Sequence, residues 1–133
     1  MKITDQQNGF TLAEMLIVVL ILGILATIAY PSYIKYVHDT RIENARADLL
    51  YNAQQLERFY IQNHSFIGFN NLKNDNNYFE IKFADGSPSA DSFTLLALPK
   101  SATNSGEERV LRVDDSNILV ICTSEAQDNC QVQ

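Results

Sequence analysis

Residues 10–30 contain a single charge, Glu14, and only weak interruptions at Thr11, Gly23 and Thr27. As a helix rising about 1.5 Å per residue, this run reaches roughly 31 Å, the thickness of a bilayer's hydrocarbon core. A carboxylate four residues into such a helix costs about 2.5–3.5 kcal/mol on insertion scales unless something offsets it. A functional role for Glu14 is therefore the default reading, and the rest of the chain must supply it.

Other readings of the segment are weaker. A secretory signal has a basic start, an apolar run of about 7–15 residues and a small-residue cleavage site. Here the run is longer, it carries Glu14, only Lys2 precedes it, and Thr27-Ile28-Ala29 makes a poor cleavage site. A plain single-span anchor is the better alternative. Lys35, Arg41 and Arg46 follow the span and outnumber Lys2, so the positive-inside rule orients it poorly. The cysteines orient it better. Cys122 and Cys130 are the only two; beyond an anchor, such a pair reads as one disulfide in an oxidising compartment, and as two unpaired thiols in a reducing one. Zinc would need two further ligands.

Past the anchor, about 100 residues remain, enough for one soluble domain with a modest core. The formal charge of −6 argues against nonspecific attraction to nucleic acid or anionic lipid. Residues 1–9 are short and polar, in the manner of a processed leader. After the span, Pro31 predicts a kink, and Gly23 weakens the helix ahead of it. Ile42, Ala45, Leu49, Ala53, Leu56 and Tyr60 then recur at spacings of three and four, one face of a helix. Glu43 can meet Arg46 on the opposite side. One nearly continuous helix over residues 10–62 is expected. Residues 63–77, with six asparagines and Gly68, read as an irregular connector tucked in by Phe66, Ile67, Phe69 and Leu72.

The period then changes to two. Residues 78–83, 93–98, 110–113 and 118–122 alternate, with turns at Asp85-Gly86-Ser87-Pro88, at 99–106 and at Asp114-Asp115-Ser116-Asn117. Four short strands with local connections predict an antiparallel meander packed on the helix stripe, an α+β fold.

Gly9-Phe10-Thr11-Leu12-Ala13-Glu14, the apolar run after it, and Tyr30-Pro31-Ser32-Tyr33 resemble the amino-terminal signature of type IV pilins with a class III signal. Residues 49–66 look like type IVa pilins of the PilE group, PilV-type minor subunits especially; beyond residue 66 the similarity is one of plan. The resemblance implies a leader at 1–9, a membrane and filament-core helix at 10–30, and a head at 31–133. The head divides into an amphipathic helix (31–62), an αβ connector (63–77), a sheet (78–122) and a disulfide loop (122–130), together a ladle-shaped pilin fold.

The resemblance further implies cleavage by a prepilin peptidase between Gly9 and Phe10, with N-methylation of Phe10. It makes Glu14 and Thr11 assembly residues, and the stretch from Gly23 to Pro31 one that melts on filament entry. Implied partners are other pilin subunits, the assembly machinery, the inner membrane before assembly, and a host-cell or bacterial surface receptor for the extracellular head. A type II secretion pseudopilin, marked by calcium in the head, and a signal-anchored periplasmic binding or enzymatic domain, uncleaved before Phe10, are the rival readings.

No catalytic set is expected, and no cofactor or metal. His38 and His64 read as surface residues. Asp85, Ser87, Ser89 and Asp91 resemble a calcium loop faintly, without its glycine and closing glutamate, so a solvated hairpin turn is preferred. Glu107-Glu108 and Asp114-Asp115 read as solvated loop charges. From Gln62 onward, Lys73, Lys82, Lys100, Arg109 and Arg112 face ten acidic residues, so DNA binding is not expected.

Overall fold

A computed structural model describes residues 8–123 and 130–132. Helix α1 spans Leu12–Asn63, followed by strands β1 (Phe79–Phe83), β2 (Thr94–Pro99), β3 (Val110–Asp114), β4 (Leu119–Cys122) and β5 (Gln131–Val132). Two compact units divide the chain, one reaching to Val37 and one from His38 onward.

In the first unit, α1 begins at Leu12, two residues later than the apolar pattern predicts, because Thr11 caps it. The Thr11 Oγ1 accepts from the Glu14 amide at 3.2 Å, and the Thr11 amide donates to Glu14 Oε2 at 3.0 Å. This is a reciprocal capping box, whose spacing Thr-x-x-Glu was present in the sequence. The backbone stays helical through Pro31. Thr27 Oγ1 donates to the Ile24 carbonyl at 2.6 Å, and Ser32 Oγ to that of Ile28 at 3.3 Å, so both hydroxyls are satisfied within the helix.

In the second unit, the stripe read from the spacing is the buried one: Ile42, Ala45, Leu49, Ala53 and Leu56 lie in the core, with Tyr60 packed at its margin. Asn52 is buried among them. The helix stops at Asn63, where His64 takes a left-handed φ of 55° and its amide bonds the Tyr60 carbonyl at 2.7 Å.

The sheet is an antiparallel meander in the order β1-β2-β3-β4-β5. Register places Ile81, Ala97, Leu111 and Ile121 in one row, and Phe83, Leu95, Val113 and Leu119 in another, both facing α1. The alternate row, Lys82, Leu96, Arg112, Val120 and Val132, faces away. The expected four strands therefore become five. Two residues are too few to show a period, and β5 becomes visible only where Val132 pairs with Val120. Phe66 ties the connector to the core, stacking on Tyr60 and meeting Phe93 edge-on. Ile67 does not: it is 60% exposed, so the apolar count of the connector overstated its anchors.

Candidate functional site

Along the first unit, every residue from Phe10 to Tyr36 is exposed. An 18-residue window of α1 has a mean hydropathy of 2.7 with none of it buried inside the protein. Such a surface cannot remain in water; an apolar area of this extent marks a membrane or protein contact. Phe10, 81% exposed, stands just outside the helix, and the Glu14 carboxylate is exposed apart from its bond to the Thr11 amide. The Gly9–Phe10 bond lies in non-helical backbone. Nothing approaches within 4 Å of a Cβ built on Gly9 or on Gly23. The segment thus presents a non-helical Gly9–Phe10 bond, an acid at the first helical turn, and a long bare helix.

The head is held by two polar clusters that the sequence concealed. The first pins the connector. Asn52, buried in α1, donates Nδ2 to the Lys73 carbonyl at 3.0 Å and accepts the Lys73 amide at 2.8 Å, completing a backbone-like pair. Asp48 takes Lys73 Nζ on one oxygen and Asn76 Nδ2 on the other. Asn76 Oδ1 then caps the amides of Tyr78 and Phe79, and Asn74 Oδ1 accepts that of Ile81. Asparagines that read as markers of irregularity are the connector's hydrogen-bond partners, two of them satisfying amides of β1.

The second cluster joins the β2–β3 loop to α1. Arg109 donates Nε and Nη2 to the two oxygens of Glu107 at 2.8 and 3.0 Å, and Nη1 to Asp39 at 3.0 Å. The Arg109 amide also reaches Glu107 Oε1 at 3.0 Å. Glu107 is only 4% exposed at its side chain, with the Nδ1 of His38 3.4 Å away. Burial pushes its carboxyl upward, but the side-chain and backbone bonds from Arg109, with its charge, outweigh that and hold it below the usual value. The Glu107 bonds in turn raise Arg109 above burial's opposing effect. Glu107 is therefore not the solvated loop charge its neighbours suggested, and His38 is half-buried beside it rather than a surface residue. A bidentate fork explains the difference, since it allows a carboxylate to be removed from water. Nearby, Arg41 lies over the Tyr78 ring at 4.1 Å and donates to the buried Asn104.

Asp114 is an acceptor as well, taking the Ser116 amide at 3.0 Å in the β3–β4 turn, while Glu108 and Asp115 are exposed. In the β1–β2 connection, Ser87 Oγ accepts the Thr94 amide and Ser89 Oγ accepts that of Ser92, so two hydroxyls of the faint calcium pattern close the turn itself. Among the described residues no cluster of histidine, cysteine and acidic side chains could hold a metal. His64 is exposed at the helix end, remote in sequence and fold from His38. Cys122 and Cys130 form a disulfide; residues 124–129 between them lie outside the described residues. On the outward sheet face, Lys82, Thr94, Leu96, Leu98 and Arg112 line a cleft of about 400 Å³.

Comparison with known proteins gives a consistent picture. The family profile described as type IV minor pilin ComP, DNA uptake sequence receptor, matches residues 31–109, and that of the prokaryotic N-terminal methylation motif matches residues 4–30. The type II secretion system core protein G of Escherichia coli is 30% identical over 66 residues, covering 50% of this chain and 46% of that protein. The type IV major pilin PilA of Myxococcus xanthus is 43% identical over 56 residues, covering 41% of this chain and 26% of that protein. The chain thus spans less than half the length of these curated relatives. The crystal structure of the non-core minor pilin PilV of Neisseria meningitidis superposes with a TM-score of 0.62 at 33% identity, covering 68% of this chain and 91% of that one.

Proposed function

We propose that this chain, which belongs to the type IV minor pilin family, is a minor subunit of a type IV pilus that polymerises through the bare side of α1 and exposes its head for adhesion or aggregation contacts. The family is one of structural subunits, not enzymes. The observation that carries the reading is the unburied, membrane-length amino-terminal half of α1 directly behind a methylation motif. In the scheme it supports, a prepilin peptidase cuts between Gly9 and Phe10 and methylates Phe10. The precursor waits in the inner membrane, and subunits then bury one another's helices. Glu14 meets the freed amine of Phe10 on a neighbour, where a charge pair in apolar surroundings is worth far more than in water. Gly23 and Pro31 bound the stretch that unwinds on assembly.

Mass spectrometry of the chain recovered from sheared surface fibres tests this. The expected amino terminus is N-methylated Phe10. Recovery with Met1 attached, and only from membranes, would falsify it. A type II secretion pseudopilin is the second reading, favoured by the identity to core protein G; calcium retained by the purified head would support it over the pilus.

The family's description names a DNA receptor, and this chain departs from that role in its charges. Phosphate contact needs uncommitted cations. Lys73 is engaged by Asp48, Lys100 Nζ donates to the Asn76 carbonyl at 2.8 Å, and Arg109 is held by Glu107 and Asp39. At least three of the five basic residues beyond Gln62 are thus occupied within the head, against ten acids. No gel shift of duplex DNA is expected at submicromolar protein and physiological salt, and a shift there would overturn the reading.

A further inference from the structure

Between α1 and the segment that leads into β1 lies a concavity of about 300 Å³, at the small end of the range for small-molecule sites. The backbone that forms one wall is held from both sides. Three successive carbonyls bond to the β2–β3 loop. That of Asn76 takes Lys100 Nζ at 2.8 Å, that of Asn77 takes Thr103 Oγ1, and that of Tyr78 takes the Lys100 amide at 2.9 Å. Toward α1, Asn76 Oδ1 accepts the amides of Tyr78 and Phe79, and its Nδ2 donates to Asp48 at 2.9 Å. A ligand bound here would therefore not have to order the main chain.

Against this fixed frame, Asn44, Asp75 and Asn77 line the concavity and are exposed, and none of their side chains makes a hydrogen bond among the described residues. The two amides offer donors and acceptors together, and the carboxylate offers acceptors. A hydroxyl also donates and accepts at once, so a polyol satisfies such a mixed set. A metal ion would use acceptors alone and leave the amide hydrogens idle. Carbon surface is present beside them, in Ala47 and the ring of Tyr78. Charge selects further. The charged groups lining the space are Asp48 and Asp75, and Lys73 Nζ answers the first at 3.1 Å. An anionic ligand would meet Asp75 with no lining cation to offset it.

We propose that this concavity is a binding site for a neutral saccharide unit. Asn44 and Asn77 bridge its hydroxyls, Asp75 accepts from one of them, and the C–H side of the sugar ring rests on Ala47 and Tyr78. The proposal rests on the reading of the head as an adhesive surface, and it names the class of receptor, a neutral glycan. A shallow polar site of this size binds one sugar weakly, with a Kd of about 1 mM.

Saturation-transfer NMR on the full chain, in a detergent whose headgroup is not a sugar, tests this. The probes are the methyl glycosides of glucose, galactose, mannose and N-acetylglucosamine, with N-acetylneuraminic acid and calcium chloride as contrasts. At least one neutral glycoside should receive saturation from the protein. Asn44→Ala and Asn77→Ala should each weaken that binding by about fivefold, the worth of a hydrogen bond. Neither side chain has a bond to lose within the head, so the thermal midpoint of both variants should stay that of wild type. No transfer to any neutral glycoside at about 10 mM, ten times the expected Kd, overturns the proposal. So does binding that both variants retain in full, or a preference for N-acetylneuraminic acid. Calcium that shifts the amide resonances of Asp75 and Asn77 where no sugar does would make this a cation site instead. Each of these failures leaves the pilus reading standing as long as chains beginning at Phe10 are recovered from sheared fibres.

Discussion

Arg109→Ala should destabilise the head by about 3 kcal/mol, the low end of the range for breaking a buried ion pair. Glu107 is 4% exposed, and without the guanidinium its charge keeps only the Arg109 amide and the neighbourhood of His38. The low end applies because Arg109 is itself 34% exposed, so water can enter where the side chain was. In a domain of this size the loss appears as a fall of more than about 10 °C in thermal midpoint, read by circular dichroism of the full chain in mild detergent. Arg109→Lys should recover little, because a single ammonium cannot reproduce bonds to both oxygens of Glu107 and to Asp39. Removing both partners, as R109M with E107Q, should cost less than R109A alone.

The same pair has a pH signature. The Glu107 carboxyl is lowered from its ordinary 4.5, so the folded state holds its proton less tightly than the unfolded chain. A depressed carboxylate contributes stability that is fully present above the unfolded value and is lost as pH falls through the folded one. Wild type should therefore weaken below about pH 4.5, and R109A, already deprived of most of that contribution, should weaken less. The two unfolding midpoints converge in acid. A difference that stays constant from pH 7 to pH 3 would show that Arg109 acts through packing of its stem instead.

How far this fold was legible depends on whether a contact has a period. The stripe from Ile42 to Leu56 and the alternation of β1 to β4 follow from spacings of three and four and of two, and the register rows repeat them. The methylation motif is contiguous, so residues 9–14 were readable as a unit. Glu107 was not, because its burial depends on a fork from Arg109 and on residues of α1 about 70 positions away. Nor was the work of Asn52, whose amide replaces a backbone partner for Lys73 across 21 residues. Composition marked residues 63–77 as irregular, which they are; it could not show that Asn74 and Asn76 accept the amides of Tyr78, Phe79 and Ile81. The Thr11–Glu14 box is local, carried by four consecutive residues with the Thr-x-x-Glu spacing.

Glu14→Val should leave the chain inserted in the membrane and cut before Phe10, yet reduce its recovery in sheared fibres by about 100-fold or more, since about 2.7 kcal/mol separates those two levels. Valine suits lipid better than a carboxylate does, so anchoring does not suffer. What disappears, on the proposed scheme, is the counter-charge for the amine of Phe10. Among packed helices that amine would then be buried without a partner, a state costing several kcal/mol where water is excluded. Glu14→Gln separates this account from a purely local one. Glutamine retains an oxygen for the Thr11 amide and so preserves the capping box seen in the single chain. If the cap is all that matters, the glutamine variant enters fibres like wild type. If the negative charge answers a neighbour's amine, it fails as valine does, although its helix end is intact. Equal incorporation of wild type and valine, measured as chain per unit of sheared fibre, would remove Glu14 from assembly and leave the acid only its part in the capping box.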